Sequence, residues 1–230
     1  MNKNTEKQLS AASVKRPVLM LPKVAADFEI NGKGASSQWE KADWAELTPI
    51  RGDAAYQTKF KALYSNTGVY FLFDCEDTVL SATITEDFGD LFTEDVVEVF
   101  LWPEESERVY FEYELSPLNF ELPLLIVNNG PAFHGWKPWH LDSDRRTRRA
   151  TAARGGVIAS NAKVEGWTAE FFIPFALMQG LRNTPPVSGT KWRANMYRID
   201  YDHTPTYWVW SRLERAAFHL IDQFGTIVFE

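Results

Sequence analysis

The run Thr58-Lys59-Phe60-Lys61-Ala62-Leu63-Tyr64 is followed by Ser65-Asn66-Thr67-Gly68 and then by Val69-Tyr70-Phe71-Leu72-Phe73-Asp74. In the first segment lysines alternate with Phe60, Ala62 and Tyr64, the period of two that a half-buried strand requires. Residues 65–68 have turn chemistry, and the apolar run beyond them returns as a second strand. The same period continues outward from this hairpin. Asp95-Val96-Val97-Glu98-Val99-Phe100-Leu101-Trp102 reads as a strand closed by the charged turn at 103–107, and residues 110–115 alternate Phe111, Tyr113 and Leu115 with Glu112 and Glu114. Further strands are predicted at 167–173, 192–201, 207–210 and 226–229. Only 174–178 has the pattern of a short helix, with Pro174 at its first turn. Many short strands between turns, with almost no helix, give an all-β sandwich or barrel.

A chain of 230 residues suits one large domain, and no Gly/Ser- or Pro-rich linker divides it. Residues 1–16 are polar without an apolar period and are expected to form a flexible leader to a single domain spanning 17–230. Sixteen Phe, nine Trp and eight Tyr favour strands and leave rings over for a binding surface. A net charge of -7 argues against nucleic acid or an anionic membrane surface as partner. No stretch approaches the uninterrupted apolar length of a membrane-spanning helix, and the start lacks the apolar segment of a secretory signal, so the default expectation is a cytoplasmic protein. The single cysteine, Cys75, excludes an internal disulfide framework and a cysteine zinc site, and its apolar neighbours make it a small buried hydrophobe.

The four histidines, His134, His140, His203 and His219, show no His-x-His or His-x-x-x-His spacing. There is no Gly-x-Ser-x-Gly elbow and no phosphate-cradling glycine loop. Carboxylates are abundant at Asp87, Asp90, Glu94, Asp95, Glu98, Glu112 and Glu114. Two of them opposed across a cleft could hydrolyse a glycoside, whereas as polar alternates of amphipathic strands they would face solvent. Glu98 stands apart, because it shares strand parity with Val96, Phe100 and Trp102, and a carboxyl among such groups needs a hydrogen bond or a ligand. The basic run at 144–149, with Arg145, Arg146, Arg148 and Arg149, fits either an anionic ligand or a charged edge strand that resists edge-to-edge pairing. Trp167, Trp192, Trp208 and Trp210 read as core. Trp136 and Trp139 read as loop-borne rings suited to stacking on sugar faces, and Phe92 sits on a loop entering a strand.

The order of these features is itself informative. Asn31-Gly32 precedes Trp39 and Trp44, then come the 58–74 hairpin and the acidic strand Glu94-Asp95-Val96-Val97-Glu98-Val99-Phe100. Residues 110–119, Gly166-Trp167-Thr168-Ala169-Glu170-Phe171-Phe172-Ile173-Pro174-Phe175, Trp192-Arg193-Ala194-Asn195, Trp208-Val209-Trp210-Ser211 and Phe224-Gly225-Thr226-Ile227 complete the set. The whole resembles the family 9 carbohydrate-binding modules, relatives of the DOMON-type sugar- and heme-binding sandwiches, over residues 25–230. The resemblance implies a DOMON-like, immunoglobulin-like antiparallel β-sandwich with no catalytic role, which holds a saccharide end between two aromatic rings. By local pattern the rings fall on Phe92 and Phe218, the strand carboxylate on Glu98, and two polar positions on Tyr197 and Arg215, where sugar binders carry Gln and Asn. Both rings are Phe where Trp is typical. Glu114 and Ser116 stand where sugar binders carry Arg and Asn, and a carboxylate cannot replace a guanidinium donor fork. No cofactor is expected. Calcium occurs in some members without a ligand set assignable here, and heme, which would draw on Met178, Met196 and His219, is disfavoured because Met is an ordinary core filler. The leading expectation is a non-catalytic saccharide-binding domain. Its alternatives are a glycoside hydrolase using Glu98 with Glu112 or Glu114, and an interaction sandwich that has lost sugar binding.

Overall fold

In the computed structural model, which describes residues 15–52, 56–130, 133–139 and 142–230, the alternating sequence becomes thirteen strands. They are β1 (Val18–Leu21), β2 (Ala45–Pro49), β3 (Thr58–Tyr64), β4 (Gly68–Glu76), β5 (Val96–Trp102), β6 (Val109–Leu115), β7 (Glu121–Asn128), β8 (Phe133–Pro138), β9 (Arg148–Arg154), β10 (Gly166–Pro174), β11 (Lys191–Asp200), β12 (Thr206–Val209) and β13 (Gly225–Phe229). Residues 1–14 of the expected leader, and His140, lie outside the described residues. The hairpin at 58–74 forms as read, with Phe60 opposite Phe73 and Tyr64 opposite Val69. Residues 174–178 close into one tight 3-10 turn, Phe175–Met178, behind Pro174.

The strands run in the order β8-β7-β6-β5-β11-β12-β2-β3-β4-β10-β9, and β13 joins both β11 and β1. The β1–β13 ladder is parallel, and the other strand pairs are antiparallel. The path folds back through β12 and β2, so a front sheet around β5, β6 and β11 faces a back sheet around β3, β4 and β10. Their inner rows interlock: Val97, Val99, Tyr113, Trp192 and Met196 meet Phe60, Phe71, Phe73, Trp167 and Phe171. Tyr113 and Phe171 touch across the gap with ring centroids 4.9 Å apart. Each such buried side chain stabilises the fold by about 1.5–3 kcal/mol. Trp167, Trp192 and Trp208 are fully buried, whereas Trp210 is only partly covered. Cys75 lies in this core, where burial pushes its thiol up to about 12 and leaves it unreactive.

Both outer faces are covered too. Over the back sheet, residues 24–42 pack on Tyr70, Leu72 and Phe172. One buried carboxylate holds this segment: Glu170 Oε2 accepts the backbone N–H of Asn31 and Gly32 at 2.9 Å and of Gly34 at 3.3 Å, while Oε1 accepts Trp39 Nε1–H at 2.8 Å. Gly32 is required there, since its φ is 80° and a side chain would strike the Thr151 backbone. Of the two readings of the Arg run, the charged edge strand is the one observed for Arg148 and Arg149. β9 is an edge strand, and its charges are engaged: Arg148 lies over the Phe172 ring at 4.3 Å, Arg149 pairs with Asp87 and Glu121, and Arg154 pairs with Asp74.

Candidate functional site

The outer face of the front sheet carries the even-numbered residues of β5, β6 and β7 and the odd-numbered residues at the far end of β11. Val96, Phe100 and Trp102 of β5 form a second apolar cluster with Leu122, Leu124 and Ile126 of β7. The segment 211–224 lies across it, contributing Leu213, Ile221 and Phe224. Where that cover stops, a cleft of about 360 Å³ opens. Glu98, Glu112 and Glu114 line it together with Phe92, Phe100, Phe133, Trp136, Tyr201, Tyr207, Phe218 and His219.

Each wall has a local cause. The tight turn Leu91–Thr93 buries Leu91 in the outer cluster and leaves Phe92 37% exposed at the rim, with the Tyr201 hydroxyl donating to the Phe92 carbonyl at 3.2 Å. Phe218 lies flat on Tyr197, with centroids 4.1 Å apart and planes 8° from parallel, and the Tyr197 hydroxyl donates to the Phe218 carbonyl at 2.8 Å. Phe133 stacks on His219 at 4.3 Å. Phe133 and Trp136 would leave an unbroken strand on opposite faces. The ladder skips His134, pairing Gly135 with Val127 and Phe133 with Asn128, so both rings turn to the cleft.

The floor is acidic and buried. Glu98, Glu112 and Glu114 are 2%, 4% and 1% exposed, contrary to the expectation that Glu112 and Glu114 face solvent. The strand parity was right, but the face they occupy is covered by a segment remote in sequence. Burial holds all three well above the usual carboxylate range, reinforced at Glu98 by Glu114, at Glu112 by Glu98 and at Glu114 by Glu112. Burial also lowers His219 to about 4, so this imidazole is neutral near pH 7.

Of the six residues singled out for ligand contact, Phe92, Glu98, Glu114 and Phe218 line the cleft. Tyr197 is fully buried behind Phe218 and reaches the site only through that ring, while Arg215 is exposed beside the lining residue Ala216 and is not part of the wall. Trp136 does line the cleft, from strand β8 and not from a loop. Trp139 packs against the core and donates Nε1–H to the Leu177 carbonyl at 2.5 Å. Tyr201 and Tyr207 were not anticipated. The continued β11 parity through Tyr197, Ile199 and Tyr201, and the pairing of Tyr207 with Ile199, carry their signal.

A separate acidic group lies at the end of the front sheet. Asp77, Asp95, Asp200 and Asp202 each bring one oxygen within 4.8 Å of the others, a hard-oxygen donor set of the kind that suits calcium. Arg198 already occupies it, donating Nη2–H to Asp77 at 2.9 Å and to Asp200 at 2.6 Å. All eight oxygens of the group accept a hydrogen bond from protein. Burial, with the neighbouring Asp77 and Asp200, still pushes Asp95 up to about 8. Met178 and Met196 lie in the core between the sheets, whereas His219 is at the cleft on the other side of the front sheet, so they do not assemble a common heme pair.

The chain matches the family described as carbohydrate family 9 binding domain-like over residues 30–230. Among curated proteins no sequence matches it significantly. Three solved structures share the fold. A proposed carbohydrate-binding protein from Bacteroides uniformis superposes with a TM-score of 0.78 at 17% identity, covering 94% of this chain and 100% of that one. A family 9 carbohydrate-binding module from Caldicellulosiruptor kristjanssonii in complex with cellotriose gives 0.65 at 15% identity, covering 93% and 94%. The glucose complex of a family 9 module from that organism gives 0.64 at 16%, covering 93% and 96%.

Proposed function

The chain belongs to the carbohydrate family 9 binding domain-like family, and from that premise we propose that its front-sheet cleft holds a saccharide end without chemically altering it. The observation that carries this reading is the make-up of the cleft. Flat rings at Phe92, Trp136, Phe218 and Tyr207 surround a floor of hydrogen-bonding carboxyl groups, in a volume of about 360 Å³. Sugar rings present apolar C–H patches to aromatic faces and hydroxyls around their edges, so apolar walls and a polar floor match both. The similar modules described above were solved with cellotriose and with glucose, which supports the same ligand class here.

A glycosidase would need its two carboxyl groups pushed apart, one kept protonated and one ionised. Glu98, Glu112 and Glu114 are instead all displaced upward by the same burial, and no Lys or Arg lines the cleft to ionise one of them. They stand side by side on one floor and do not flank a bond from two sides. The reading is therefore one of recognition and not turnover.

The test is calorimetric titration of glucose, cellobiose and glucosamine-based saccharides into the wild type and Phe92→Ala. Binding by the wild type, weakened at least about tenfold in a variant with unchanged melting, is expected, because a half-exposed ring contributes contact area to a ligand more than to the core. Absence of heat with every saccharide would remove the proposal, and appearance of cleaved product would convert it to catalysis.

A further inference from the structure

Three buried acids in one cleft need an explanation that neutral sugar recognition alone does not give. None of the ion pairs among the described residues includes Glu98, Glu112 or Glu114, and no Lys or Arg lines the cleft. Glu112 Oε2 and both oxygens of Glu114 are buried without a hydrogen bond of ordinary geometry. Unsatisfied acceptors of this kind each cost about 1–3 kcal/mol in the empty protein, more when charged. Register makes the crowding unavoidable: Glu98 is the cross-strand partner of Glu114, and Glu112 sits opposite Phe100 one step along the same face.

We propose that Glu98, Glu112 and Glu114 form a subsite for a positively charged group, so that the saccharide end preferred by this cleft carries a free amino group. The inference rests on the saccharide reading above and adds the class of sugar. An ammonium has three N–H donors and no acceptor, which answers the three unpartnered oxygens of Glu112 and Glu114. Its charge favours their ionised forms, opposing the burial that keeps them neutral. The aromatic walls help as well, since ring faces attract a cation. A bare metal ion fits less well. The acids close enough to share one ion are Asp77, Asp95, Asp200 and Asp202, and the cleft trio does not form such a group. The ring nitrogen of His219 does not compete, being neutral and engaged with the Tyr110 hydroxyl through Nδ1.

The groups that face the trio are Asp90 toward Glu114, Tyr110 and Tyr197 toward Glu98 and Glu112, and Tyr201 toward Glu98. None of them is a cation, so a bound ammonium would be the positive charge in the cleft. Its arrival should drive protons off the floor, and an amino sugar should show a binding enthalpy that depends on the buffer's ionisation heat.

The deciding experiment is calorimetric titration near pH 6.5 of the β-1,4 dimer of glucosamine, of its N-acetylated form and of cellobiose, into wild type, Glu114→Gln and Glu112→Gln. Glutamine keeps the shape and removes the charge, and far-UV circular dichroism confirms that each variant folds. The amino dimer should bind at least about tenfold more tightly than cellobiose, in line with a charge-assisted hydrogen bond, and each variant should erase most of that ratio. Equal affinities for the amino dimer and cellobiose, or a ratio untouched by both variants, would overturn the inference while leaving saccharide binding intact. No binding of any of the three saccharides would overturn both.

Discussion

Glu98 of β5 and Glu114 of β6 are direct cross-strand partners, and both are buried on the floor of the cleft. Like charges in that position destabilise a sheet, and burial together with this pairing favours the protonated form of both groups. The fold tolerates the arrangement because the inner face of the same strands is packed with Val97, Val99 and Tyr113.

A pH-dependent stability follows from this pair. A carboxyl whose folded pKa is raised keeps its proton where the unfolded chain has lost it. Its contribution is complete below about pH 4 and is lost as the pH rises through the folded value. Glu114→Gln is therefore expected to match wild type near pH 4 and to exceed it at pH 8 by about 1–3 kcal/mol, the cost of an unsatisfied buried group. Urea unfolding at the two pH values measures the gap, and a gap that does not change with pH would contradict the assignment.

Tyr197 is expected to act on ligands through Phe218. Tyr197→Phe keeps the ring stack and deletes only the hydroxyl that donates to the Phe218 carbonyl. Stability should drop by about 0.5–1.5 kcal/mol, the net worth of one hydrogen bond. Saccharide affinity should weaken mainly through faster dissociation, because the wall ring is less firmly held. Unchanged dissociation with reduced stability would assign Tyr197 to the fold alone.

Glu170 is expected to anchor the cover of the back sheet. Replacing it with Ala strands three backbone N–H groups and the Trp39 indole N–H, at a cost of about 3 kcal/mol or more. Limited proteolysis should then cut within residues 24–42 while the cleft still binds its ligand. Resistance equal to wild type would show that apolar contact alone holds the segment.

The tryptophans should separate by burial. Trp167→Ala and Trp192→Ala remove fully buried rings and are each expected to cost about 3–5 kcal/mol. Trp210→Ala should cost visibly less, since that ring is only partly covered. Chemical denaturation of the three variants ranks them, and equal losses would contradict the burial order.

Strands with clean alternation, such as β3 and β6, were legible from sequence, and so was the buried character of Glu98. Strands β2, β7 and β8 were not, and β9 was legible only as one of two readings of its arginines. In β7 Pro123 interrupts a run that is apolar on both faces, and in β8 Gly135 and Pro138 imitate a loop. In β9 alternation is hidden under arginines whose partners, Asp87, Glu121 and Asp74, lie far away in sequence. The cleft was legible in its members more than in its enclosure. Parity grouped Glu112 with Glu114, but only the return of residues 211–224 decides that their face is covered. Phe92 and Phe218 were reached through family resemblance, and their meeting depends on folding that no local pattern encodes.

The skipped residue at His134 makes the aperture of the cleft a matter of chain length. In an even ladder the three-residue step from Phe133 to Trp136 would put the rings on opposite faces; the one bulged residue absorbs that step, with Phe133 opposite Asn128 and Trp136 opposite Ile126. A residue added between the two rings and taken into the ladder instead of the bulge would turn one ring away and widen the opening in one step, giving relatives different ligand sizes above the same floor. The acids beneath would be untouched. Length variation between the two rings of β8, more than substitution in the floor, is where divergence in ligand reach should be sought.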